Sequence, residues 1–167
     1  MVMNLVRLLR HLSTPRWRIR RAFSSATLHA IERAIREAEA THDGQICFAI
    51  EAALEILPLL QGVSARERAL EVFAQRRVWD TEHNNGVLIY LLLADRDVEI
   101  VADRGIHRHV GNADWEHVCR KMEAEFRDGR FEAGVLAGID AVSHHLAHHF
   151  PRRRDGANEI SDRPIIL

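Results

Sequence analysis

The hydrophobic positions of this chain change period several times, and each change marks an element. Val87 to Leu93 is an unbroken apolar run opened by the turn signal Asn84-Asn85-Gly86. Too short for a membrane span and rich in branched and aromatic residues, it predicts a central strand buried on both faces of a sheet. After a polar break at Ala94 to Asp97, Val98, Ile100 and Ala102 alternate with Glu99, Val101 and Asp103, the period of a strand nearer the sheet edge. The two should form a β-hairpin with Asp95-Arg96-Asp97 at its tip. Ile46 to Ile50 is a second all-apolar run of the buried-strand type.

Between and around these runs the period is helical. Leu28, Ile31, Ile35 and Ala38 share one stripe behind Ser24 or Ser25 as N-cap. That helix is expected to end near His42-Asp43-Gly44, with Gly44 as C-cap or turn residue. Pro58 and Gly62 mark a loop, and Ser64 with Glu67 reads as a capping box ahead of Ala69, Val72, Phe73 and Trp79. Strand, helix, strand in that order predicts a right-handed crossover with the Ile46 and Val87 strands parallel. Asn112 can cap a helix carrying Trp115, Val118, Met122 and Phe126, stopped at Asp128-Gly129; Phe131, Val135, Ile139, Val142 and Leu146 define a last helix that Pro151 ends. The expected fold is a three-layer α/β/α sandwich around a small mixed sheet of three to four strands.

Composition narrows the class. A chain of 167 residues with 47% hydrophobic positions can bury the core of one domain and needs no second. No stretch approaches the roughly 20 apolar residues of a spanning helix, and Arg7 and Arg10 interrupt the amino-terminal apolar segment where a secretory signal is uncharged, so a cytoplasmic protein is expected. Cys47 and Cys119 both lie in apolar patterns, as buried free thiols do.

The net charge of −1 hides an asymmetry: residues 1–21 carry six arginines and no acid, whereas residues 22–151 hold 13 basic against 21 acidic side chains. Three segments follow: a basic amphipathic arm (1–21), a domain (22–151) and a polar tail (152–167) without periodicity, expected to be flexible. In the arm Leu5, Leu8, Leu9 and Leu12 stand at helical spacing with Arg7, Arg10 and His11 between them, followed by Arg16-Trp17-Arg18. Such a segment can lie on an anionic membrane surface with Trp17 at the interface, or dock on its own domain or a second copy. Nucleic acid is disfavoured because the acidic domain would repel the phosphate backbone.

Trp79, Asn84-Asn85-Gly86-Val87-Leu88, Asp95-Arg96, Glu99-Ile100 and Arg104-Gly105-Ile106 together resemble the central motif of the TPM domain family. The resemblance runs from the first helix of the domain to the last. It implies a Rossmann-like α/β/α sandwich and, in some members, bound divalent cations. The family includes thylakoid and bacterial envelope proteins, and a plant member is described as an acid phosphatase. Members usually carry a signal peptide, a transmembrane tail and an Asp-Asp pair near the start of the domain; Ser24-Ser25 stands about where that pair would be.

Candidate chemistry is sparse. Asp95 and Asp97 flank Arg96 at the carboxyl end of the central strand, where ligands bind in open α/β sheets. With Glu51, expected at the same end of the parallel neighbour, they can offer oxygen ligands to Ca²⁺ or Mg²⁺; the competing reading is an Asp-rich turn whose carboxylates bond nearby backbone N–H groups. Asp43, Asp80, Glu82 and Asp103 should gather at the opposite end as solvated loop residues. His144 with His148, and His145 with His149, are spaced to share a transition metal, but no Glu accompanies them as in a hydrolytic His-Glu-x-x-His. No nucleophile elbow, Walker loop or dinucleotide fingerprint occurs. The expected function is a non-catalytic TPM-like binding domain acting at the inner membrane surface with an envelope-associated protein partner. The alternative is a divalent-metal-dependent acid phosphatase resembling the plant member.

Overall fold

Four strands form one mixed sheet in the order β3-β2-β1-β4. The computed structural model describes residues 5–153 and 156–167, so the first four residues of the arm lie outside the described region. β1 (Gln45–Glu51) and β2 (Gly86–Leu92) are buried at every position and pair in parallel, Ile46 opposite Val87 and Glu51 opposite Leu92. β3 (Asp97–Ala102) returns antiparallel to β2 through a turn at Leu93 to Arg96. Asp97 pairs with Leu92 inside the ladder, so only Asp95 and Arg96 of the expected tip lie in the turn. Arg96 adopts φ +52°, the left-handed residue that reverses the chain.

Helices cover both faces. On one, Ile46, Phe48, Ile50, Val87, Ile89 and Leu91 meet α2 (Trp17–Ala22), α3 (Ser25–Glu39), α7 (Asn112–Arg127) and α8 (Phe131–His149). On the other, Cys47, Ala49, Leu88, Tyr90 and Leu92 meet α5 (Ala65–Gln75), Leu59 of α4 (Ile56–Leu60) and Leu8 of α1 (Leu5–Leu12). α6 (Arg104–His107) is a single turn capped by Asp103. α7 and α8 approach closely because Gly134 and Gly138 sit under Phe126 and Met122, where a Cβ would collide.

Local signals acted largely as expected. Ser24 caps α3 by accepting from the Thr27 amide at 3.1 Å. Ser64 and Glu67 form a reciprocal capping box, Glu67 N donating to Ser64 Oγ at 3.1 Å and Ser64 N to Glu67 Oε2 at 2.7 Å. α7 is capped by Gly111 rather than Asn112. Pro58 falls in the first turn of α4, where its missing N–H costs nothing, rather than in a loop.

Three expectations are corrected. α3 ends at Glu39, and Gly44 does not cap it: the glycine lets β1 pass against Leu146 of α8. Trp79 is outside α5, which stops at Gln75 before Arg77 at φ +54°; Trp79 is 46% exposed beneath the Arg77 guanidinium. The tail is tied down: β4 (Ile165–Ile166) pairs parallel with β1, Ala49 opposite Ile165, and supplies the fourth strand. Gln45 Oε1 also accepts from the amides of Glu159 and Ile160 at 2.7 and 2.9 Å. The arm in turn is continuous with the domain, since its Ile19 is buried in the main core together with Phe23.

Candidate functional site

The carboxyl end of β2 is where α1 docks. Asp95, at the hairpin tip, faces three cationic or polar groups of that helix: Arg7 Nε lies 2.9 Å from Oδ2, Arg10 Nη1 3.5 Å from Oδ1, and His11 Nε2 3.1 Å from Oδ2. Arg7 also donates from Nη1 to Val63 O at 3.0 Å, and His11 Nδ1 accepts from the Leu54 amide at 3.0 Å. The segment from Leu54 to Val63, which carries α4, is therefore bonded to α1 at both ends.

This docking turns the helix inside out relative to an ordinary surface helix, whose apolar stripe faces the core. The side chains that meet the domain are Arg7, His11 and Leu8, whereas Leu5, Leu9 and Leu12 stand 57%, 59% and 59% exposed. Val6 and Trp17 are exposed as well, as are Ile56 and Leu57 of the bonded α4 segment. Of the four leucines grouped on one face in the sequence, three point to solvent.

The expected cation ligands do not converge. Glu51 is held by a bidentate Arg68, with Nε 2.8 Å from Oε2 and Nη2 3.1 Å from Oε1, and Tyr90 Oη donates to its Oε2 at 2.6 Å. Burial, then the Glu51 hydrogen bond, pushes the Tyr90 phenol far above its usual range, so it remains a donor. Asp95 is taken up by α1. Asp97 instead lines a groove of about 470 Å³ along the free edge of β3 with Glu99 and Glu123; burial, then those two carboxylates, raises its pKa to about 6. Among the described residues no three His, Cys, Asp or Glu side chains are grouped to hold a metal ion. The donor set does not suit Ca²⁺ or Mg²⁺: the oxygens of Glu51 and Asp95 are already occupied by guanidinium groups. Nor does Asp95 serve as a turn residue in the expected way, since its carboxylate bonds the arm and not the hairpin backbone.

The second acidic group is likewise dispersed. Asp43 accepts from Arg153 N and Nε at 3.1 and 2.7 Å, and that guanidinium holds its carboxyl below the usual range. Asp80 pairs with Arg77, Glu82 borders a small cavity with His83 and Glu159, and Asp103 caps α6. The histidines of α8 also find other partners: His149 stacks on His109 at 4.7 Å, and His145 meets Trp115 edge-on at 5.2 Å. The Asn-Asn-Gly and Arg-Gly motifs are architectural. Gly86 passes under the Val78 carbonyl and Gly105 under those of His83 and Asn84, where any Cβ would strike backbone. Asn85 Nδ2 ties the two strand entrances by donating to Asp43 O at 3.1 Å.

An α/β/α sandwich with these glycine-dependent crossings agrees with the comparisons. The TPM domain matches residues 20–145, and the chain belongs to that family. The NMR structure of the BA42 protein from the psychrophilic bacterium Bizionia argentinensis is similar over 87% of this chain and 95% of its own, at 29% identity and a TM-score of 0.76. The N-terminal domain of a protein from P. gingivalis shares the fold at 18% identity and a TM-score of 0.62, over 79% of this chain and 83% of that one. No curated protein matches the chain significantly. All of α1, with Arg7, Arg10, Arg16 and Arg18, lies before the matched residues. Among the described residues no helix is long and apolar enough to cross a membrane.

Proposed function

We propose that this chain is a non-catalytic TPM-domain binding module that attaches reversibly to an anionic membrane surface through α1, where it meets an envelope-associated protein partner. One observation carries the reading: the polar face of α1 is clamped to Asp95, Val63 and Leu54, while Leu5, Leu9 and Leu12 are presented to solvent. An amphipathic helix that spends its cations on its own domain and exposes its leucines needs something apolar to cover them. With Arg18, Arg20 and Arg21 on the following α2, that surface suits the interface of an anionic bilayer, into which leucines and a Trp can insert shallowly. A divalent-metal-dependent phosphatase has less support, because a cation would have to displace Arg68 and Tyr90 from Glu51, and Arg7 from Asp95.

Co-sedimentation with vesicles tests the reading. Wild-type protein should pellet with phosphatidylserine-containing vesicles at low salt, and Leu5→Ser/Leu9→Ser/Leu12→Ser should stay in the supernatant with an unchanged melting temperature. Equal pelleting of both would assign attachment to the arginines alone. If neither pellets, the ridge belongs to a protein partner.

A further inference from the structure

Beside the ridge, between α2 and the hairpin tip, lies an open basin of about 720 Å³ bordered by Arg10, Thr14, Arg18, Arg21, Arg96 and Phe131. Its charge is one-sided. Among the described residues the one acid on its wall, Asp95, is neutralised by Arg7 and Arg10. Arg18 and Arg21 stand one helical turn apart, and Arg96 is delivered from the opposite wall by the left-handed turn at φ +52°. Among the described residues none of these three forms an ion pair. Three arginines bordering one basin with no carboxylate paired to them give it a positive local potential, which favours an anion from outside.

We infer that this basin is a phosphate-binding site in which Arg18, Arg21 and Arg96 converge on a phosphomonoester group. The chemistry favours phosphate over a carboxylate: a dianion with three acceptor oxygens satisfies several planar forks at once, whereas a carboxylate matches a single fork. The volume leaves room for the group that bears the phosphate, and Phe131 on the wall can meet its apolar part. Two sources share this chemistry, a lipid phosphate headgroup and a soluble phosphate. The lipid source rests on the membrane reading above; the soluble one does not.

The test follows the arginine side-chain Nε–Hε resonances of the full chain by NMR during titration with inorganic phosphate, with chloride at matched ionic strength as control. The same protein and its Arg18→Gln/Arg21→Gln/Arg96→Gln variant are also bound to vesicles containing phosphatidic acid or, at equal charge, phosphatidylserine. Saturable shifts of Arg18, Arg21 and Arg96 with phosphate alone establish a soluble-phosphate site. Loss of phosphatidic acid binding by roughly a hundredfold in the variant, at about 1 kcal/mol per arginine, with a smaller loss on phosphatidylserine, establishes the lipid source. Because all three positions are exposed, the variant should melt with the wild type. No saturable shift together with equal vesicle binding by both proteins overturns the site. Should the wild type ignore vesicles while phosphate still shifts the three arginines, the membrane reading fails and the basin stands.

Discussion

The amide of Leu54 donates to Nδ1 of His11 at 3.0 Å, and this one bond sets the tautomer of a buried imidazole. With Nδ1 accepting, the ring proton sits on Nε2, 3.1 Å from Asp95 Oδ2 but off the line of a good hydrogen bond. The contact between His11 and Asp95 is thus one of orientation, and Arg7 supplies the charge. Asp95→Asn should weaken the docking of α1 by about 1–2 kcal/mol, since Arg10 is half exposed and adds little. Amide exchange across Arg7 to Leu12 should accelerate while β1 and β2 stay protected; uniform acceleration over the sheet would refute a local clasp.

Glu39 predicts a pH dependence of stability. Its Oε1 accepts from the Ile46 amide at 2.7 Å, and burial raises its pKa from 4.5 to about 8. The folded state therefore binds the extra proton between these values, so the stability contribution is full below pH 4.5 and is lost as pH rises through 8. His42, lowered by burial to about 4, and Asp97, raised to about 6, titrate below this upper range. Between about pH 6.5 and 8 the Glu39 slope should stand alone. Glu39→Gln keeps an oxygen for Ile46 and should flatten urea midpoints across that window; an unaltered slope would exclude Glu39 as its source.

Two glycine substitutions should separate backbone from side-chain crowding. In Gly86→Ala the new methyl strikes the Val78 carbonyl, which cannot move without breaking the strand entrance, and the expected loss is about 3 kcal/mol. In Gly138→Ala it meets the flexible end of Met122, which can re-rotamer, and about 1 kcal/mol or less is expected. Chemical denaturation of the two variants checks the order, and a reversed order contradicts the close approach at Gly86.

Divalent cations should not stabilise the protein. A site filled at a hundred times its dissociation constant would add about 2.7 kcal/mol, readily seen in a melting curve. With Glu51 gripped by Arg68 and Tyr90, millimolar Ca²⁺ or Mg²⁺ should leave the melting temperature in place. An upward shift lost in Glu51→Gln would restore the metal reading.

Elements with a long, uniform period were legible before any coordinates: the apolar runs inside β1 and β2, the Ser64-Glu67 capping box, and the stripes of α7 and α8. What escaped has a physical reason in each case. An amphipathic helix has two faces, and nothing local says which meets the domain; the partner of Arg7 lies far along the chain at Asp95. β4 has two residues, fewer than an alternation needs to declare itself. Arg77 reverses the chain at positive φ without a glycine to announce it, which displaced Trp79 from its expected helix. Glu51, Asp95 and Asp97 do lie at the carboxyl end of the parallel strands, but a carboxylate's neighbours depend on which arginines reach it, a tertiary fact.

The free edge of β3 is not bare. Val98 N donates to Glu123 Oε1 at 3.2 Å, and Arg66 Nη1 donates to the Ile100 carbonyl at 2.6 Å. Each side chain occupies a backbone group that a foreign strand would otherwise use, and the opposite edge ends in the two residues of β4. A sheet whose inner strands are buried at every position is thereby denied an open template for fibril growth along β3, and its resistance to edge-on pairing at high concentration should rest on Arg66 and Glu123.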